Sequence, residues 1–208
     1  GRAAAKPGLF VDESASIELA ASERYVSRAG LKLAGAAKAF NLNFRGKTVL
    51  DVGSSTGGFT DFALQHGAKK IYAVDVGTDQ LHPSLRGNKR IELHEKTDIR
   101  DFVPSEIPDI VVIDASFISL RQILPYVAKI VDKNTTIVAM VKPQFEAQRQ
   151  QLTRGGVVKN DGVRRAILRE FEQWARANFI IIDKVDSEVK GAHGNLERFY
   201  ILRKAGSC

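Results

Sequence analysis

Three acidic or basic residues stand directly after apolar, β-branched runs. Pro108-Asp109-Ile110-Val111-Val112-Ile113 leads into Asp114, Asn134-Thr135-Thr136-Ile137-Val138-Ala139-Met140-Val141 into Lys142, and Lys70-Ile71-Tyr72-Ala73-Val74 into Asp75. In an open α/β sheet the ligand crevice lies at the carboxyl ends of the strands, so groups at strand ends face it. Lysine beside a carboxylate in such a crevice suits proton transfer. A free lysine, pKa about 10.4, is protonated at neutral pH. Partial burial and a second nearby ammonium bring it towards the range where it accepts a proton. Asp75, 24 residues after Asp51, is placed to accept both hydroxyls of a ribose, with Val76 beside it. Thr97-Asp98-Ile99 follows a third, shorter strand, Ile91–Glu95. There Asp98 either accepts from an adenine amino group or caps the next helix.

The stretch Asp51-Val52-Gly53-Ser54-Ser55-Thr56-Gly57-Gly58-Phe59 organises these groups. It follows the apolar run Thr48-Val49-Leu50, a buried parallel strand by composition. Thr60-Asp61-Phe62-Ala63-Leu64 then opens a helix. A strand, a glycine turn and a helix N-terminus form a corner where a ligand approaches the main chain. The dinucleotide fingerprint G-x-G-x-x-G is broken, because Ser55 stands at its second glycine. The pattern D-x-G-x-x-x-G-G instead resembles motif I of the S-adenosylmethionine-dependent methyltransferases, whose cofactor carries no phosphates.

The elements that must position these residues alternate strand and helix, the sign of an α/β fold. Ser27 is a plausible N-cap, and Ala29, Leu33, Ala37 and Phe40 form one apolar helical face. Lys32 lies off that stripe and, on spacing alone, reads as a solvated lysine. A helix follows Ser119 through about Val131, and Asn160 or Asp161 caps another through about Ala177. Phe179–Asp183 and Arg198–Leu202 are two late strands. An antiparallel final pair gives the seven-stranded, mostly parallel sheet of order 3-2-1-4-5-7-6, with helices on both faces, that Rossmann-like methyltransferases carry.

At 208 residues, 44% of them hydrophobic, the chain is one domain with a sizeable core. Its formal net charge of +7 favours a polyanionic partner, nucleic acid first. Residues 142–169 hold seven Lys or Arg against two acids, and the polar stretch Gln148–Gly156 reads as a mobile loop at the mouth of the site. Arg86-Gly87-Asn88-Lys89-Arg90 is a second basic turn. The sole cysteine, Cys208, excludes a disulfide framework and points to a reducing, cytoplasmic setting. His66, His82, His94 and His193 lack ligand spacing, so no metal is expected. No apolar run reaches transmembrane length, and Gly1–Gly8 lacks the apolar core of a signal peptide.

Four motifs together extend the resemblance. Tyr25-Val26-Ser27-Arg28-Ala29-Gly30-Leu31-Lys32-Leu33, the Asp51–Asp61 stretch, Val141-Lys142-Pro143-Gln144-Phe145-Glu146 and the late Gly194-Asn195-Leu196-Glu197 are similar to the TlyA or hemolysin-A family. Its members are ribosomal RNA 2′-O-methyltransferases with an FtsJ-like catalytic domain. The resemblance covers about residues 25–204 and implies a Lys-Asp-Lys-Glu tetrad on Lys32, Asp114, Lys142 and Glu197. On that tetrad the residue chemistry makes Lys142 the expected base, or the group that orients and stabilises the developing alkoxide. Lys32 would assist it, and Asp114 and Glu197 would position the two lysines. S-adenosylmethionine would sit on Asp51, Gly53, Ser54, Ser55, Thr56, Gly57, Gly58, Phe59, Asp75, Val76, Asp98, Ile99 and Asp114.

The target would be a cytidine ribose in ribosomal RNA. Phosphates would be held by Arg28, Arg86, Lys89, Arg90, Arg149 and Arg154, and the protein would act as a monomer. Family members usually begin with an S4-like RNA-binding domain. Residues 1–24 resemble its last strand and linker, with 205–208 as a tail. A membrane-acting hemolysin would need a secretion signal and an amphipathic or spanning segment. A small-molecule methyltransferase would carry an apolar lid in place of the basic 142–169 segment.

Overall fold

The computed structural model describes residues 24–191 and 193–206. The stretch read as an S4-like remnant therefore lies outside the described residues, apart from Arg24, as do Ser207 and Cys208 of the tail.

Seven strands form one sheet in the order β3-β2-β1-β4-β5-β7-β6. They are β1 (Thr48–Val52), β2 (Lys70–Val74), β3 (Ile91–His94), β4 (Ile110–Ile113), β5 (Thr136–Val141), β6 (Phe179–Asp186) and β7 (Arg198–Lys204). Neighbours from β3 to β5 pair in parallel, and β7 runs antiparallel to both β5 and β6. This is the expected order. β6 extends three residues beyond the expected Asp183 and stays paired with β7 past a register shift between Ile181 and Asp183.

Both faces of the sheet are covered, so the central strand β4 is apolar at every position rather than at every second one. In β4, Val111 and Ile113 point to one core, and Ile110 and Val112 to the other. The first core is closed by α3 (Leu120–Ile130), through Leu120, Leu124 and Val127, and by α5 (Asp161–Ala175), through Leu168 and Phe171. The second is closed by α1 (Arg28–Ala39), through Leu33, Ala36 and Ala37, and by α2 (Gly58–Gln65), through Phe59 and Phe62. Each Leu, Val or Phe among these removed from water contributes about 1.5–3 kcal/mol. A one-turn helix, α4 (Pro143–Glu146), follows β5.

Two caps follow from side-chain chemistry. Asn160 accepts from the Val163 N–H at the start of α5, and Ser119 accepts from the Arg121 N–H at the start of α3. Ser27 holds the N-cap position of α1, but its hydroxyl makes no cap hydrogen bond. No helix begins at Asp98. That carboxylate instead accepts from the Arg100 N–H in a turn. Among the described residues, no helix is long and apolar enough to cross a membrane.

Candidate active site

The carboxyl ends of β4 and β5 place Asp114 and Lys142 side by side. Lys142 Nζ lies 2.6 Å from Asp114 Oδ1 in an ion pair, and it donates a hydrogen bond of 2.7 Å to Ser116 Oγ. Val141 pairs with Arg198 across the antiparallel β5–β7 ladder. The residues one step beyond, Lys142 and Glu197, therefore leave the sheet at the same level. Glu197 Oε2 accepts from Lys32 Nζ at 2.5 Å.

Lys32 reaches this point because α1 packs across the start of α2. A Cβ at Gly58 would collide with Ser27 Oγ and come within 2.8 Å of the Ala29 side chain, so only glycine admits this approach. The side chains of Lys32 and Glu197 are 11% and 3% exposed. Burial raises the Asp114 pKa above the ordinary carboxylate value. The Lys142 and Lys32 charges pull it back, and Glu197 pushes it up again. Two lysines and two carboxylates thus form one nearly neutral, mostly buried cluster.

Beside it lies the glycine corner. The Gly53 and Ser54 N–H groups both donate to the Val74 carbonyl, at 2.9 and 3.2 Å. Gly53 has φ +80°, and a Cβ there would stand 2.9 Å from the Asp114 carbonyl oxygen. Ser55 takes φ +46°, a conformation costly for a non-glycine residue that persists where its surroundings enforce it. Its N–H donates to Asp75 Oδ2 at 2.8 Å, while Asp75 Oδ1 accepts from Gly77.

Two cavities meet at this corner. The larger, about 350 Å³, is lined by Gly53, Ser55, Asp75, Val76, Asp98, Ile99 and Asp114, with Val74, Ile118 and Ile123 as apolar walls. The smaller, about 140 Å³, is lined by Asp51, Ser54, Thr56, Gly58, Phe59, Ser116 and Lys142. Asp51 is fully buried. Its Oδ2 accepts from Thr60 Oγ1 at 2.7 Å, but Oδ1 has no partner, nor has the buried Ser54 hydroxyl. Burial pushes the Asp51 carboxyl up to about 7, against the pull of the Thr60 hydrogen bond. An unpaired buried carboxylate oxygen facing a cavity suits a cationic amine. A strand-end acid suits ribose hydroxyls, and apolar walls suit a flat ring.

Asp98 lines the larger cavity, with its two oxygens accepting from the Arg100 guanidinium at 2.9 and 2.6 Å. The expected basic residues are not all brought here. Arg90 donates to the Leu64 and Ala68 carbonyls and immediately precedes β3. It therefore stands with Lys89 at the amino edge of the sheet, away from the tetrad. Arg86 is held by the Leu81 carbonyl and Asp79. Arg28, by contrast, donates to the Lys190 carbonyl, near the segment that carries Glu197. Arg149 and Arg154 are exposed in the segment after α4.

Sequence reasoning missed Ser116 and Phe117. The only signal for Ser116 was a hydroxyl two residues past a strand-end acid. Phe117 is 92% exposed at φ +64°, on the wall of the larger cavity. Among the described residues, no group of His, Cys, Asp or Glu is arranged to hold a metal ion.

The family model of FtsJ-like methyltransferases matches residues 25–205. The chain belongs to the FtsJ-like methyltransferase family. It is 42% identical over 188 residues to a 23S rRNA (cytidine-2′-O)-methyltransferase TlyA from Campylobacter jejuni, covering 88% of this chain and 72% of the relative. It is 38% identical over 209 residues to a 16S/23S rRNA (cytidine-2′-O)-methyltransferase TlyA from Mycobacterium tuberculosis, covering 98% and 78%. A solved structure of a candidate hemolysin from Lactococcus lactis superposes with a TM-score of 0.84 at 42% identity, covering 89% of this chain and 91% of that one. The cofactor of this FtsJ-like methyltransferase is S-adenosylmethionine. The donor set fits it: an orphaned carboxylate oxygen on Asp51 for the ammonium, Asp75 at the end of β2 for ribose, and apolar walls for adenine.

Proposed function

We propose that this chain methylates the ribose 2′-hydroxyl of a cytidine in ribosomal RNA. The observation that carries this reading is the buried Lys32–Glu197 and Asp114–Lys142 cluster, set at the strand ends directly beside the cofactor corner. S-adenosylmethionine, when bound, supplies a methyl group already activated by its sulfonium charge. The protein's task is then to align the ribose oxygen and hold or remove its proton.

Lys142 does this with its Nζ. Asp114 and Ser116 fix that nitrogen from two sides, so its remaining direction is available to the 2′-oxygen. Lys32, held by Glu197, adds positive charge next to the developing alkoxide. Asp51, Gly53, Ser54, Ser55, Thr56, Gly57, Gly58 and Phe59 bind the methionine end. Asp75, Val76, Asp98 and Ile99 bind the nucleoside end.

Ribosomal RNA as substrate is supported by the activities for which the TlyA relatives are named and by the net charge of +7. Arg28, Arg149 and Arg154 would hold phosphates of the approaching RNA, and the protein acts as a cytoplasmic monomer.

The test is transfer of labelled methyl from S-adenosylmethionine to ribosomal subunits and to naked rRNA, followed by digestion to nucleosides. The reading predicts label in 2′-O-methylcytidine. Label confined to base-methylated nucleosides, or to no RNA at all, would overturn it.

A further inference from the structure

Glu146 is a buried carboxylate with no place in the tetrad. It ends the run Val141-Lys142-Pro143-Gln144-Phe145-Glu146, and its side chain is only 1% exposed. Oε1 accepts from the Leu120 N–H at 2.7 Å, and Oε2 accepts from Ser119 Oγ at 2.6 Å. Arg121 Nε stands 3.4 Å from Oε2. Burial raises its pKa, and the Ser119 hydroxyl, the Leu120 N–H and the Arg121 charge oppose that rise. A carboxylate is buried at such depth only when its hydrogen bonds are met.

Capping α3 does not by itself account for this residue. Ser119 already caps that helix through the Arg121 N–H, and a local side chain at the first turn would serve equally. Glu146 reaches α3 from 26 residues away in sequence. Its two bonds therefore join two loops that each carry part of the site. One runs from Asp114 to Ser119 behind β4, the other from Lys142 to Glu146 behind β5. The Phe117 and Phe145 rings, one from each loop, stand with centroids 5.2 Å apart.

The first loop carries Ser116 and contains Phe117 at φ +64°, so its shape is not one that a free loop holds. The second carries the flexible four-carbon stem of Lys142, whose ammonium has three rotatable donors. We propose that Glu146 is a positioning residue for methyl transfer: by binding Ser119 and Leu120 it locks these loops together, and so keeps Asp114 and Ser116 on the Lys142 ammonium. The kinetic consequence rests on the methyl-transfer reading above; the geometric one does not.

The experiment compares Glu146→Leu, which loses both bonds, and Ser119→Ala, which loses one from the other side, with Glu146→Gln. In the last, the amide oxygen still accepts from Leu120 and the amide nitrogen donates to Ser119 Oγ. In protein labelled with carbon-13 lysine, the Lys142 Cε–H cross-peak is assigned by its loss in Lys142→Arg. It is expected to move in Glu146→Leu and Ser119→Ala and to keep its parental position in Glu146→Gln.

Single-turnover methyl transfer at saturating cofactor is expected to slow roughly 10- to 100-fold in Glu146→Leu. Cofactor affinity by calorimetry should stay within about 3-fold. The double variant Ser119→Ala/Glu146→Leu should be no slower than Glu146→Leu alone, because Glu146→Leu has already lost the bond to Glu146 that Ser119→Ala removes. A parental Lys142 peak in both Glu146→Leu and Ser119→Ala would overturn the proposal, as would a Glu146→Gln variant as slow as Glu146→Leu. If the parent transfers no methyl, the functional reading fails, and the Lys142 peak alone decides the clamp.

Discussion

Lys142 and Glu197 are the first residues past the Val141–Arg198 pair on two antiparallel neighbours, so the sheet itself brings them to one level. Each is bound to a partner from elsewhere: Lys142 to Asp114 at 2.6 Å and Glu197 to Lys32 at 2.5 Å. The tetrad is therefore two ion pairs held by strand register and by the packing of α1 on α2.

That arrangement separates stability from activity at Lys32 and Glu197. Glu197→Ala leaves the buried Lys32 ammonium without its partner, which is expected to cost about 3–5 kcal/mol. Replacing both by apolar residues, Lys32→Met with Glu197→Leu, removes the unpaired charge and restores most of that stability. Denaturant unfolding of the single and double variants checks this. The double variant should fold and still fail to transfer methyl.

Asp51 gives the stability a defined pH dependence. Its folded-state value of about 7 lies above the ordinary 3.8, so the folded chain holds this proton more tightly than the unfolded one. Its contribution is fully present below about pH 4 and is lost as pH rises through about 7. Thermal unfolding without cofactor should show this decline in the parent, and Asp51→Asn should lack it. The ionised carboxylate is the form that pairs with an ammonium. Cofactor affinity in the parent should thus weaken as pH falls from about 8 to 6. Asp51→Asn should bind more weakly, with a flatter pH profile by calorimetry.

Gly53→Ala tests the close approach of the corner to β4. The added Cβ would stand 2.9 Å from the Asp114 carbonyl at a backbone φ of +80°. Loss of cofactor binding together with a fall in Tm of several degrees is expected, at about 2–4 °C per kcal/mol for a chain of this size. A variant with parental Tm and parental affinity would contradict the geometry.

The basic residues divide into two groups with different readouts. Arg90 satisfies the Leu64 and Ala68 carbonyls, so Arg90→Ala should lower Tm and leave RNA affinity almost unchanged. Arg149→Ala and Arg154→Ala should leave Tm unchanged. Each should weaken RNA binding and reduce the slope of log K against log salt by about 1, as measured by fluorescence anisotropy across a salt series.

Much of the fold was legible because the strands are short, β-branched and separated by turn residues, and because Asp75, Asp114 and Lys142 stand at their ends. The position of the glycine corner followed from that pattern, and the sheet order from the resemblance to Rossmann-like methyltransferases. Lys32 was not legible from periodicity. It is buried by a carboxylate 165 residues away rather than by an apolar stripe, and only the motif resemblance singled it out. The basic turn 86–90 shows the converse. Charge marks arginines without showing whether their donors face solvent or, as at Arg90, helix-end and loop carbonyls. Glu146 stood in a quoted motif, yet its partners lie across a second loop, which spacing along the chain does not reveal.

The most direct test of the central claim is single-turnover methyl transfer to ribosomal RNA by Lys142→Ala, with S-adenosylmethionine affinity measured in parallel by calorimetry. The account predicts a rate roughly 10²- to 10⁴-fold below the parent, with affinity nearly unchanged. Lys142→Arg should give no rescue, because a guanidinium does not release its proton. A Lys142→Ala rate within a few-fold of the parent would contradict the assignment of Lys142 and the reading of the tetrad built on it.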